Sequence, residues 1–583
     1  VESQKLHMAY GLSEGLRCRL IVTFSDQRMK ELQEDYRFYD RNTTCFPARD
    51  VIFYQADIHG NQLTKERIRC FRRMMEGRPF TVVTTFGSLL APQIPLSVFR
   101  DNVITVSCNG SLDEKKMAEE LVNLGYENVY QVEAPGQFSI RGGIIDIFDL
   151  TEENPYRIEL WGDDVESIRS FDVQSQRSIE KLSSITIYPA CELILTEEQL
   201  KKGMERIEKE SKRFSEKLRK EFKTEEAHRV EEQMNTLKEE VFAYKSLANL
   251  DGYVRYFYED TVSFLNCLDV ENSIVFLDEP ARIREHASAV ELEFRESMSH
   301  RLEKGYILPG QADFLYSVAE VTARMSAFRL ASLAALDLKG GLLKPDWKAD
   351  ISAKSISSYN NSFEALVSDL QRYKKNGYRV LLLSGSRTRA KRLAADLSED
   401  GLTSFYTEDP DREIKPGEIM TFYGRVFRGF EYPLLKFAVI SESDIFGAEK
   451  KKKKKKKQYE GRKINDFSEL SVGDYVVHEN HGLGIYQGIE KVEVEKVVKD
   501  YIKISYRDGG ILYVLATGLD VIQKYASADA KVPKLNKLGT TEWVKVKNKT
   551  KAAVNEVAKD LVELYAIRQQ SEGYSYGKDT VWQ

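Results

Sequence analysis

Cysteine is scarce in this chain: six in 583 residues, at positions 18, 45, 70, 108, 191 and 267. No two form a CxxC pair, which removes a zinc ribbon and a disulfide framework and fits a reducing, cytosolic setting. Long apolar runs are also missing. None approaches the roughly 20 residues of a membrane-spanning helix, so no membrane partner is expected. The opening "VESQKLHMAY" lacks the basic segment, apolar stretch and cleavage site of a signal peptide. The phosphate-cradling pattern GxxxxGK[ST] is absent; the sole Gly-Lys pair, Gly577-Lys578, is followed by Asp579. Without that loop no nucleotide hydrolysis is expected. GxSxG occurs, as in "GLSEG" from Gly11 to Gly15, and is not read as a nucleophile elbow, and HExxH is absent, so the expectation is no catalytic residue, no metal and no cofactor in these residues.

What is present is ordinary folded material, 42 % hydrophobic and 30 % charged, in a length that suffices for about three to five domains. Residues 19–112 alternate strand-like runs ("RLIVTF", "DVIFYQ", "FTVVTTF", "NVITVS") with polar helical stretches, the rhythm of a parallel α/β layer. Leu6 to Ala9 reads as a preceding strand, but it stands only about ten residues from "RLIVTF", too few for a usual parallel crossover. From Val129 to Pro189, "GGIIDIFDL", "YRIELWGDD", "VESIRSFDV" and "SSITIYPA" alternate as in a small inserted antiparallel sheet. Residues 196–245 place Leu200, Met204, Ile207, Phe214 and Leu218 at helical spacing, predicting one or two long helices with one packed stripe.

A second α/β unit follows over 355–447, with "RVLLLSG", "SRTRAKRLAADL" and "FAVISESDIF". Lys450 to Lys457 are eight consecutive lysines: a solvated linker first, a weak nonspecific nucleic-acid contact second. Residues 466–526 are β-rich, and Asp508-Gly509-Gly510 between alternating runs predicts a hairpin. A helix is predicted from about Thr541 to Gln570, with Val546, Ala553, Val557, Leu561 and Leu564 along one face.

"IVFLDEP", Ile274 to Pro280, resembles the acid-tipped strand that holds the metal of a triphosphate in nucleotide motors. The place where a loop would cradle phosphates reads "AYGLSEGLR", with Gly11 and Gly15 and no lysine after them. Asp278 and Glu279 therefore read as a sheet edge without a nucleotide. His478 and His481, with Glu479, imitate a metal cluster, but no third ligand stands at a recognisable spacing and hydrogen bonding within a turn accounts for them.

Three strings carry a family resemblance. "APGQFSIRGGIIDIFDLTEENPYRIELWGDDVESIRSFDVQSQRS" resembles the inserted domain shared by UvrB and the transcription-repair coupling factors. "INDFSELSVGDYVVHENHGLGIYQGIE" resembles the polymerase-interacting, CarD-type domain of those factors, and "LGTTEWVKVKNKTKAAVNEVAKDLVELYAIRQQ" the helix after it. The resemblance implies a UvrB-like, degenerate helicase-type α/β domain over 1–112 and 193–348, with a UvrA-binding domain inserted at 113–192. A second, flavodoxin-like α/β domain of unassigned role follows at 349–448, then a polylysine linker at 449–463. A small CarD/Tudor-like β domain at 464–530 and a long helix in 531–583, leading towards a translocase, complete it.

What the resemblance implies about function is an amino-terminal half of a bacterial, cytoplasmic coupling factor. Its partners would be UvrA and the RNA polymerase β subunit. ATP, magnesium and most contact with double-stranded DNA would belong to a missing translocase half. Rival assignments are a UvrB-like repair helicase subunit, against which the missing phosphate loop speaks, and a CarD-like transcription regulator, which leaves the insert unexplained. The family's UvrA contacts fall on Arg141, Arg157 and Trp161, the last at a position commonly phenylalanine. Guanidiniums forking onto carboxylates beside a flat aromatic suit an interface centre; cross-strand sheet stabilisation is the alternative for Arg157 and Trp161. The family's polymerase contact falls on the strand holding Ile489, Val492 and Val494, which would add to a strand of the polymerase; inward packing is the alternative for Val492. Nine Lys/Arg against four Asp/Glu from Lys531 to Gln570 make the last segment basic, through nearness to DNA or as a solvated face.

Overall fold

The computed structural model describes residues 2–49, 61–173, 175–243, 250–258, 260–336, 341–360, 362–409, 411–446, 472–478, 481–494, 497–515, 522–525, 534–538 and, apart from 544 and 548, 542–550. The chain forms two units, residues 1–54 with 61–454, and 55–60 with 455–583.

The first unit is built on strand Cys18–Thr23, buried at every residue. Parallel neighbours Ser273–Asp278 and Phe80–Thr85 flank it, and Arg329–Leu333 and Thr43–Phe46 form the edges. Numbered along the chain, the strands lie in the order 5-4-1-3-2. Alternate side chains face opposite layers. Ile21, Val83 and Phe276 pack under helices Glu2–Leu12 and Asp26–Tyr36, whereas Leu20, Val22, Val82 and Leu277 face the larger core. Ser25 caps the second of these helices by accepting from the Arg28 amide, and Met29, Leu32 and Tyr36 are its buried stripe.

Three expectations are corrected here. Leu6 to Ala9 belong to helix Glu2–Leu12, not to a strand: four residues are too short for periodicity to separate the two, and Leu6 and Ala9 bury at i, i+3 spacing. No crossover is needed before Cys18. "AYGLSEGLR" is the end of that helix and the turn after it; the first strand passes into its helix through Phe24 and Ser25. Ile104–Ser107 leaves the parallel layer and pairs antiparallel with Ser184–Ile187, the two chain passages into and out of the insert. "DVIFYQ" lies outside the described residues.

The insert is a six-stranded sheet in which successive strands from Gln137–Arg141 to Ser178–Leu182 pair antiparallel. Helix Glu197–Lys220 opens with a capping box between Thr196 and Gln199, and Met204, Ile207, Phe214 and Leu218 are buried along it as their spacing predicts. Thr224–Lys238 packs back against it.

The second α/β module has Arg379–Ser384 at its centre between parallel Phe437–Ser441 and Ile419–Tyr423, with Ser404–Tyr406 beyond. Its parallel strands run 4-1-3-2, the winding of the first sheet rather than the flavodoxin order 2-1-3-4-5. A repeating strand-helix rhythm is common to both orders, so the pattern could not choose between them.

In the second unit five antiparallel strands run Ile511–Leu515, Val497–Ser505, Gly482–Val494, Tyr475–His478, Ile522–Lys524. Val476, Tyr486, Ile502, Ile504 and Val514 form their core. The predicted hairpin closes through Arg507–Gly509, where Gly509 takes φ +79. Of the final predicted helix, 542–543, 545–547 and 549–550 are helical; its remainder lies outside the described residues. Among the described residues no helix is long and apolar enough to cross a membrane.

Candidate protein-interaction sites

The insert's sheet buries one face. Ile140, Ile145, Ile158 and Ile168 pair across four strands and pack into the core, so Ser139, Arg141, Asp146, Arg157, Glu159 and Trp161 alternate onto the other face. The three residues singled out in sequence thus share a face. Arg141 precedes the two-residue turn Gly142-Gly143, both at positive φ (53 and 81), which suits the right-handed strand twist. The Leu160 amide donates to the Gly143 carbonyl at 2.7 Å, which puts Trp161 at the same rim. Trp161 is 80 % exposed.

Arg157 stands one row inward and is engaged within the fold. Its Nε and Nη2 donate to the two oxygens of Asp146 at 2.7 and 2.8 Å, Nη2 also reaches Gln176 at 3.1 Å, and the guanidinium lies 4.4 Å from the Phe171 ring centre. Hydrogen bonding to Asp146 pushes the Arg157 pKa above its ordinary value. Arg141 donates to the same carboxylate at 3.3 Å and lies 5.3 Å from the Tyr130 ring centre. Asp146, only 1 % exposed, therefore organises both arginines, and sequence reasoning missed it. Its signal was there: an acid between isoleucines in "IIDIF" must find a cation.

Ile489, Val492 and Val494 lie on strand Gly482–Val494. Only its first residues, Gly482 to Ile485, pair with Tyr475–His478; beyond the bulge at Tyr486/Gly488 it pairs on one side alone, with Val497–Ser505. Gly488 holds φ +109 there, open to glycine and strained for other residues. Among the described residues no strand covers the other edge of 488–494. Ile489 is 44 % exposed. His478, buried in the same sheet, has its imidazole pushed down to about 3 by that burial and by His481, whose ring centre is 4.8 Å away.

The acid-tipped strand is filled from within. Lys5 Nζ lies 3.2 Å from Asp278 Oδ1 and 2.5 Å from Glu279; Thr23 Oγ1 and Arg28 Nε each donate to Asp278 Oδ2 at 3.1 Å. Arg28 also pairs with Glu2. Glu279, at φ +59, accepts the Ala335 amide at 2.9 Å. Both Asp278 oxygens are committed to the chain's own donors, and the two-residue passage Phe24-Ser25 leaves no glycine-rich cradle. These residues do not fit a nucleotide and its metal.

A family model described as the UvrB interaction domain matches residues 104–193, beginning at the strand that pairs with the insert's exit. A second, described as the CarD-like/TRCF RID domain, matches residues 470–526. The transcription-repair-coupling factor of Bacillus subtilis (strain 168) is 34 % identical over 542 residues, 93 % of this chain and 45 % of that protein. That of Staphylococcus aureus (strain MRSA252) is 30 % identical over 568 residues, 97 % of this chain and 48 % of that protein. The chain spans about half the length of these relatives. With both domain models matched and this similarity along nearly all of its residues, the chain is similar to the transcription-repair-coupling factors over about half of their length.

Proposed function

We propose that this chain supplies the adaptor contacts of a coupling factor. The insert's outward face docks UvrA, and the open strand edge at 488–494 extends a sheet of the RNA polymerase β subunit. The observation that carries the reading is that edge, which among the described residues is paired with no further strand and carries a glycine bulge at Tyr486/Gly488. For UvrA, Trp161 is the anchor: a flat aromatic at the rim gives buried area on contact at little cost in conformational freedom. Arg141 flanks it. Arg157 acts as a positioning residue, holding Asp146 and through it Arg141.

ATP-driven movement on double-stranded DNA, with its ATP and magnesium, is assigned to parts of the factor that this chain does not span. The test is a pull-down from purified components. Trp161→Ala with Arg141→Ala should reduce UvrA capture and leave β-subunit capture intact, and Ile489→Arg with Val492→Arg should do the reverse. Unchanged capture in either arm removes that assignment.

A further inference from the structure

The second α/β module takes no part in these contacts, yet the carboxyl ends of its parallel strands gather charge. Strand Ile419–Tyr423 ends on Tyr423 and Ser404–Tyr406 on Tyr406, while Arg379–Ser384 leads into helix Arg387–Glu399, whose opening "RTRAKR" sets cations against the helix dipole. Two guanidiniums converge on one phenol. Arg41 Nη2 donates to Tyr423 Oη at 3.0 Å, and Arg387 bonds the same side chain with its guanidinium 4.9 Å from the ring centre. Arg387, seconded by Arg41, holds the Tyr423 phenol below its ordinary pKa. Lys391 lies 5.1 Å from the Tyr406 ring centre.

One carboxylate, Glu408, faces this group, 3.2 Å from Lys391 and 3.8 Å from Arg387; the neighbouring Arg389 is met by Glu442 at 2.5 Å. Arg41, Arg387 and Lys391 are all exposed. Two like charges meeting at a neutral oxygen are poorly compensated, and an anionic oxygen there would gain the attraction of both. Open α/β sheets take ligands outside the carboxyl ends of their strands. Exposed cations interleaved with aromatic rings are the make-up of surfaces that track single-stranded nucleic acid.

We propose that Arg41, Arg387 and Lys391, with Tyr406 and Tyr423, bind the phosphate backbone of a single-stranded nucleic acid. The site joins the first sheet's periphery to the second module and is independent of the protein contacts above. Fluorescence anisotropy of the whole chain with a labelled oligothymidylate tests it, the lysine block giving every variant the same background. Arg387→Glu and Arg41→Glu should each weaken binding and lower the slope of log affinity on log salt by about 0.7, the loss of one single-strand phosphate contact. Arg387→Gln, which adds no repulsion within the fold, should act in the same direction. Tyr423→Phe should keep the affinity, since it removes only the neutral oxygen. Arg372→Glu, reversing a charge on helix Phe363–Lys375 paired with Asp369, should change little. Equal losses from Arg372→Glu and Arg387→Glu would assign the effect to net charge and overturn the site. Equal dependence with duplex of the same length would overturn the single-strand assignment.

Discussion

Glu192→Gln should loosen the insert from its parent layer. Glu192 follows the exit strand Ser184–Ile187 and is 7 % exposed. Arg67, on helix Asn61–Met75 and fully buried, donates Nε to both Glu192 oxygens at 2.8 and 2.9 Å, Nη1 to the Pro47 carbonyl at 2.7 Å and Nη2 to Gln93 at 2.9 Å, with its guanidinium 3.9 Å from the Phe46 ring centre. Arg49 approaches the same carboxylate at 2.8 Å. Removing one partner of a buried pair costs about 3–5 kcal/mol, because a charge is left without compensation. The amide keeps one acceptor for Arg67, so the lower end, about 3 kcal/mol, applies. At about 2 °C per kcal/mol for a large domain, the melting temperature should fall by about 6 °C.

The pH dependence supplies an independent check. Burial alone would raise the Glu192 pKa, but Arg49 and Arg67 outweigh it and hold the carboxyl below its ordinary 4.5. A depressed carboxylate contributes stability that is present above its unfolded value and lost as pH falls through the folded one. The gap between parent and variant should stay constant from neutral pH down to about 5 and close below 4.5. Thermal melts followed by circular dichroism over that range measure both. A variant melting with the parent at pH 7, or a gap that persists unchanged at pH 3, would refute the argument that this carboxylate is held ionised between the two arginines.

Three further outcomes are expected. The purified chain should show no ATP turnover above background in a phosphate-release assay, and turnover abolished by Asp278→Ala would contradict the internal pairing of Lys5 with Asp278. Arg157→Glu should set two carboxylates face to face at Asp146 and destabilise the insert by about 3 kcal/mol, whereas Trp161→Ala, exposed at the rim, should melt with the parent; limited proteolysis separates the two. His478 has a depressed pKa, so its contribution is present above the unfolded value of 6.5 and is lost as pH falls towards about 3. Protection factors in strand Tyr475–His478, referred to the intrinsic exchange rate at each pH, should therefore fall as the solution is acidified below 6.5, and pH-independent protection factors would count against a neutral buried imidazole.

Local patterns were legible where periodicity ran long enough. Met204 to Leu218 announced a buried stripe, and the alternation around Ile145 and Ile158 announced a sheet with one wet face. Leu6 to Ala9 was too brief to separate helix from strand. The arrangement of the sites was hidden by sequence distance: Lys5 and Asp278 are 273 residues apart, and Arg41 and Tyr423 are 382. No local propensity encodes such pairs. Arg157 shows the limit at short range, because its residue type suited a partner's carboxylate while the strand register gave it one of its own. Strand order was invisible for the same reason, being decided by which hydrophobic edges meet after collapse.

The first helix touches two bodies at once. Lys5 holds Asp278 in the first sheet, while His7 Nδ1 stands 3.0 Å from the Tyr432 hydroxyl and the Arg428 amide donates to Ser3 in the second module. A carboxylate placed where a motor would grip magnesium serves here as the anchor bolt of a strut. Installing a nucleotide there would mean evicting the lysine, and with it the brace between modules, so a variant redesigned for hydrolysis would be a mechanically weaker protein.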